Sequence, residues 1–355
     1  WWIKGYVGAG IMTQVSAFTA PALPGLRNLL SRYGENMMWL ARYMERIENM
    51  ARLIDVTGSS VQGSNRDAGW DSVIRINADE AFFFHHHKAA TEQAVVAFYI
   101  TESENPDSIK SMARCARENA RVLRPLISTE MWMHLNVFTR WVVDLGPEDV
   151  GASYLSALCT RLKQDCQTHF GITEGTLYRD QAWQFYSLGK NLERADQITR
   201  LIDIKYHTLL PSGAGVGSDI DMSQWTSVLR SAAAYHAFRR VLPDGMTPAN
   251  IVGFLLKNDG FPRSLSTSLR NVYSALGILA GEYRLRQCGP ILERVEELRV
   301  TLVEQTVEDI ILRGLHEYMD WIQRELRQLQ NEIAQAFWPP VVSVAPMGGM
   351  EQMQD

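Results

Sequence analysis

One eleven-residue segment occurs twice in this chain. Glu45-Arg46-Ile47-Glu48-Asn49-Met50-Ala51-Arg52-Leu53-Ile54-Asp55 returns 148 positions later as Glu193-Arg194-Ala195-Asp196-Gln197-Ile198-Thr199-Arg200-Leu201-Ile202-Asp203. Five charged positions keep their sign. Any two amphipathic helices share an apolar period, but a generic helix does not demand a matching charge pattern. The recurrence therefore limits the chain to folds built from two related helical units.

The correspondence extends outward. Trp70-Asp71-Ser72-Val73-Ile74-Arg75 is echoed 155 positions later by Trp225-Thr226-Ser227-Val228-Leu229-Arg230. Phe98 to Ile109 is echoed 156 positions later by Phe254 to Leu265, with Ser111 matching Thr267 and Arg114 matching Arg270. The offset grows between Asp203 and Trp225, where small polar residues mark a linker (Pro211 to Gly215). Thr57 to Ser60 reads as its shorter counterpart, and insertions collect in such surface loops. Gly213-Ala214-Gly215-Val216-Gly217 lies in the longer linker and reads as flexible rather than phosphate-binding.

Apolar residues spaced three and four apart predict helices over 32–56, 89–101, 106–125, 128–142, 150–168, 182–209, 222–241, 247–257, 263–284 and 288–338, the last broken once. Pro106 and Pro262 sit where helices are expected to start. The fold class is all-α: a tandem, internally duplicated helical bundle whose units are related by a pseudo-two-fold. The expected division is an N-terminal extension over 1–28, a first unit over 29–175, a second over 176–338 packed with the first as one domain, and a flexible tail over 339–355. Met12 is a plausible natural start.

Net charge is −5 with 46% hydrophobic residues, which gives no electrostatic case for nucleic acid. No apolar run is long enough for a membrane helix, and the first residues lack the pattern of a signal peptide. Cys115, Cys159, Cys166 and Cys288 form no CxxC pair and read as reduced thiols of a cytoplasmic protein. Phosphate-loop, dinucleotide, nucleophile-elbow and HExxH motifs are absent from the sequence.

The candidate site is the repeated charged stripe: Glu45, Glu48, Arg52 and Asp55 with Glu193, Asp196, Arg200 and Asp203. On a single helix such a stripe is a ladder of weak surface pairs. If the two units face each other, the stripes meet as a buried network or line a cleft, because carboxylate and guanidinium must pair once removed from water. Arg75/Arg230 and Arg114/Arg270 are expected to pair with Glu45/Glu193 or Asp55/Asp203. No metal is expected, since the matched charges include no histidine. His85-His86-His87 point in different directions from one helix and read as interface or loop-edge residues. Trp70/Trp225 and Phe98/Phe254 read as core anchors.

Leu30-Ser31-Arg32-Tyr33-Gly34-Glu35-Asn36-Met37-Met38-Trp39-Leu40-Ala41-Arg42-Tyr43-Met44-Glu45-Arg46-Ile47-Glu48-Asn49 resembles the opening of the bacterial alpha-E domain family. Pro106 to Ile109, Glu118 to Arg121 and Leu192 to Asp196 extend the resemblance, which covers about 29–335. Gly34 departs from the Ala more usual there, which softens the helix start. Members of that family commonly occur beside circularly permuted ATP-grasp ligase-like and transglutaminase-like proteins. The resemblance, with the absence of nucleophile and cofactor motifs, points to a non-catalytic helical partner or scaffold for an ATP-grasp-type ligase in a peptide- or amide-forming modification system, without a cofactor, and the long helical segment over 288–338 suits a homo- or hetero-oligomer. The alternative is an enzyme with a Glu/Arg-lined cleft between the repeats, acting on a charged small molecule or peptide.

Overall fold

The computed structural model describes residues 29, 31–60, 69–208 and 219–339. The extension over 1–28, most of the tail and the Pro211–Gly217 linker lie outside the described residues. In chain order the helices are α1 Ser31–Ser60, α2 Trp70–Asn77, α3 Glu80–His86, α4 Glu92–Ile100, α5 Ile109–Val122, α6 Thr129–Val143, α7 Leu155–Thr176 and α8 Gln181–Thr208. They continue as α9 Asp219–Ser231, α10 Tyr235–Val241, α11 Pro248–Lys257, α12 Leu265–Gly281, α13 Cys288–Glu304, α14 Val307–Arg313 and α15 Leu315–Phe337. No strand occurs among the described residues.

Helices α1 and α8 lie side by side at the centre. Gly34 meets Phe185, Gly189 meets Met38 and Arg42 meets Glu193, a constant separation of 151 positions, so the two helices run parallel. Around α1, helices α5, α6 and α7 close a ring of four. Around α8, helices α12, α13 and α15 close a second ring. The small helices cross over: α2 packs on α8, and α9 packs on α1.

This central position explains the burial of α1. The apolar stripe of Leu40, Met44, Ile47, Ala51 and Ile54 is fully buried, but so are Ala41 and Glu45 on other sides of the helix. A helix surrounded by neighbours loses its solvent face, and with it the amphipathic contrast of a surface helix. Gly189 makes the approach possible, since a Cβ there would collide with the Met38 carbonyl oxygen. Gly34 is likewise buried, and a Cβ would stand 3.1 Å from the Phe185 ring. Its absence of a side chain thus serves close contact, beyond the softened helix start expected.

Several expectations need correction. Pro106 and Pro262 do not start helices. The caps are Ser108 and Ser264, whose hydroxyls accept from the Ser111 and Thr267 amides. Thr57 to Ser60 is the last turn of α1 rather than a linker. The segment 222–241 is two helices, separated where Ala233 turns left-handed at φ 56°. Helices α2 and α3 carried no prediction, being too short for a periodic signal, and α2 ends on a left-handed Ala78 at φ 59°. The segment 288–338 breaks twice, at the Thr306 cap and at Gly314, where φ is 112°.

Candidate functional site

The charged segments meet between α1 and α8, but they pair differently from the expected stripes. Glu193 is fully buried and is held by two arginines of α1. Arg42 Nε donates to Glu193 Oε2 at 3.0 Å, and Arg46 donates to Oε1 at 2.7 Å and to Oε2 at 3.1 Å. Arg46 also donates to Asp107 Oδ1 at 2.6 Å. The turn that presents Asp107 is built by Asn105, whose amide donates to the Phe98 carbonyl and whose Oδ1 accepts from the Asp107 backbone. Two carboxylates and two guanidiniums thus close one group to neutrality.

Glu45 is also fully buried and faces the other way, towards Arg194 and Arg263. Arg263, just before the Ser264 cap, donates to Glu45 Oε1, to Asn49 Oδ1 at 2.9 Å and to Glu48 Oε2 at 2.5 Å. Glu48 Oε1 accepts from Arg52 at 2.5 Å and from Gln167 at 3.3 Å. Arg194 Nε stands 3.0 Å from Glu45 Oε2 without the alignment of a hydrogen bond.

The electrostatics follow from this pairing. Burial pushes the Glu193 carboxyl up, but the Arg46 and Arg42 guanidiniums outweigh it and hold the group at about 2. Glu48 is likewise lowered, with Arg263 and then Arg52 overcoming its burial. Both stay ionised across the physiological range.

The remaining predicted residues divide. Arg200 donates to Asp196 Oδ2 at 2.7 Å and reaches the Ile76 carbonyl at the end of α2. Asp55 leaves the network for α7, accepting from Lys163 at 2.5 Å and Ser156 at 2.9 Å. Asp203 pairs with α15, lying 2.6 Å from His316 Nδ1. Arg75 and Arg230 are outside the network. Arg75 is exposed and pairs with Asp71 on its own helix, and Arg230 lies over the Tyr235 ring. Helices α2 and α9 turn Trp70, Val73 and Ile74, and Trp225, Val228 and Leu229, into the core. The next residue, about 100° further round, faces water. Arg114 and Arg270 also stay outside, on the Ser103 hydroxyl and on Asp259.

Sequence reasoning missed Arg42, Arg46, Arg194, Asp107 and Arg263 as network members. Arg46 and Arg194 recur in the repeated segment but lie off the face shared by 45, 48, 52 and 55. Asp107 and Arg263 occupy matching positions with opposite charge, so a search for like charges passes over them.

A second polar cluster lies on the Glu45 side. His169 is fully buried with neither ring nitrogen hydrogen-bonded, beside Tyr186 and His134. Burial, then His134 and Lys190, lower His169 to about 3. Cys166, one turn earlier, is pushed up by burial and by Glu48 and Glu45. At the matching level of α15 the buried residues are Leu326 and Leu329. No group of side chains able to hold a metal ion occurs among the described residues. His87 bonds Glu102 at the end of α3, the loop-edge role expected of the histidine run.

A family model named Alpha-E, described as a predicted alpha-helical domain with a conserved ER motif, matches residues 29–338. No curated protein and no solved structure matches the chain.

Proposed function

This chain belongs to the Alpha-E family, and from that premise we propose that it is a non-catalytic helical partner or scaffold acting with an ATP-grasp-type ligase in a peptide- or amide-forming modification system. One observation carries the reading: the paired Glu-Arg charges are consumed inside the molecule. Glu45-Arg46 and Glu193-Arg194 satisfy each other across the α1–α8 contact, with both carboxylates fully buried. A general acid or base must reach substrate and exchange protons near working pH. Glu193, sealed and held at about 2, is placed for neither. A network of this kind fixes the register of two helices and leaves the outer helices as docking surfaces. The ligase as partner rests on the company that the family keeps, and a cytoplasmic location belongs to the same proposal.

The duplicated, pseudo-two-fold arrangement is part of this reading. Support comes from the two rings of four helices, the crossed contacts of α2 and α9, and the left-handed Ala78 and Ala233 at the 155-position offset of Trp70 and Trp225.

A second reading, an enzyme with a Glu/Arg-lined cleft, is favoured by the rim of the Glu193 group. Asp107 is 39% exposed there. Nearby Asp79, which accepts from Tyr99 at 2.8 Å, is raised by burial to about 6 and could titrate under working conditions.

Co-expression with an ATP-grasp-type ligase of the kind found beside family members, followed by size exclusion, tests the first reading. Co-elution at micromolar concentration is expected, and its absence with and without nucleotide would sink the ligase assignment. The Asp79→Asn variant separates the readings further. It should retain co-elution and any activity of the pair under the first, and lose turnover with fold intact under the second.

A further inference from the structure

The outer face of α5 carries a basic stripe that the fold does not require. Arg114, Arg117, Arg121 and, just past the helix end, Arg124 are spaced three, four and three apart, which places them along one side. Between Lys110 and Arg124 the single acidic residue is Glu118, although the whole chain carries −5. The matching positions of α12 hold Arg270, Tyr273, Gly277 and Ala280. Both helices bury the same kind of opposite face, Ile109, Ala116 and Ala120 on α5 against Leu265, Val272 and Leu276 on α12. Packing therefore accounts for the inner face of α5, and a 2.7 Å bond to Asn136 Oδ1 of α6 accounts for Arg117, but neither calls for the exposed Arg114, Arg121 and Arg124.

The stripe borders a groove of about 460 Å³ between α5 and α6, lined by Arg114, Arg117, Glu118, Asn136, Arg140 and Val143 among others. Glu118 accepts from Arg117 and Arg121. Arg114, Arg124 and Arg140 have no carboxylate within ion-pair distance among the described residues. One helical turn before the lining residues Asn136 and Arg140, α6 exposes Met133 and Val137, at 60% and 67%. Exposed cations beside exposed apolar side chains match a ligand that is both acidic and amphipathic.

We propose that the α5–α6 groove docks a short acidic, amphipathic segment of a partner protein, its carboxylates on Arg114, Arg124 and Arg140 and its apolar side chains against Met133 and Val137. The stripe is about 15 Å long at the helical rise, which suits a few peptide residues. A nucleic acid fits less well. The −5 chain repels a polyanion at long range, Glu118 sits inside the stripe, and the Trp132 ring is already engaged by Arg117 and Arg124. The proposal stands on this surface itself and gives the partner reading above a location.

Fluorescence anisotropy of the purified chain with a short labelled peptide of alternating Glu and Leu tests it. Saturable binding is expected at about 0.05 M salt, weakened about tenfold at about 0.3 M. Arg114→Glu with Arg140→Glu should weaken it about tenfold again. Glu118→Gln, which removes an internal competitor, should strengthen it several-fold. Arg270→Glu on α12 and a Lys/Leu peptide are the controls, the first leaving binding unchanged and the second not binding. Circular dichroism checks that these exposed variants keep their helix content, and Arg124→Glu, expected to weaken binding alone, substitutes if the double variant loses it. No saturable binding at low salt, or equal loss with Arg270→Glu, overturns the proposal. So does tighter, reversal-sensitive binding of a single-stranded RNA, which would assign the face to nucleic acid. Failure of ligase co-elution with peptide binding intact would remove the ligase and leave the docking surface standing.

Discussion

At the scale of single residues, the burial of charge makes sharp demands. Glu193→Gln removes the charge that neutralises Arg42 and Arg46 and should destabilise the fold by about 3–5 kcal/mol, read by urea denaturation. A surface pair such as Arg121 with Glu118 should change stability by less than about 1 kcal/mol when broken. His169 makes a different prediction. It is held neutral in the fold, lowered from 6.5 to about 3, so the unfolded chain binds the extra proton first. Its stabilising contribution is complete above pH 6.5 and declines by about 1.4 kcal/mol per unit as pH falls towards 3. Glu193, lowered from 4.5 to about 2, adds a further loss only below pH 4.5. Asp79, raised from 3.8 to about 6, acts in the opposite sense below pH 6 in both proteins, so His169→Leu should tilt the stability trace between pH 6.5 and 4.5 towards rising stability at lower pH relative to the wild type, measured as denaturation midpoints against pH. An unchanged slope would show that another group carries it.

At the scale of elements, the long helices were legible and the short ones were not. Twenty-odd residues of three-and-four spacing define α1 and α8 without ambiguity. By contrast α2, α3, α10 and α14 span eight residues or fewer, and their ends depend on left-handed Ala78, Ala233 and Gly314. Alanine gives no local sign of such a turn, since only tertiary contact holds a non-glycine residue there. The charged stripe was found on the right helices, but its partners were misread. Periodicity says which residues share a face and nothing about the neighbouring helix. Gly189 carries a prediction at this scale. Because a Cβ there would strike the Met38 carbonyl oxygen, Gly189→Ala must push α1 and α8 apart and stretch the ion pairs between them. A loss of several kcal/mol is expected against a gain of about 0.5–1 kcal/mol at an unconstrained helical glycine. Thermal unfolding of the variant checks it.

At the scale of the whole molecule, each half supplies counter-charges to the other. Glu45 and Glu48 depend on Arg194 and Arg263, and Glu193 depends on Arg42 and Arg46. The halves should therefore not fold independently. A fragment covering the first half alone is expected to show low helicity, and mixing it with the second half should restore it. Two fragments that each fold as stable monomers would contradict this. The sequence by itself determined that the chain is all-helical, that its Glu-Arg segments recur, and that their charges needed partners, because hydrophobic period and charge order are local properties of the chain. Only the tertiary structure decided who those partners are. It ran α1 and α8 in parallel at a separation close enough to require Gly189. It swung Asp107 and Arg263 in from turns half a chain apart in register, and it sent Arg75 and Arg230 outward. A buried carboxylate must be neutralised, but which guanidinium reaches it is set by the geometry of approach, and that geometry is written in no single segment.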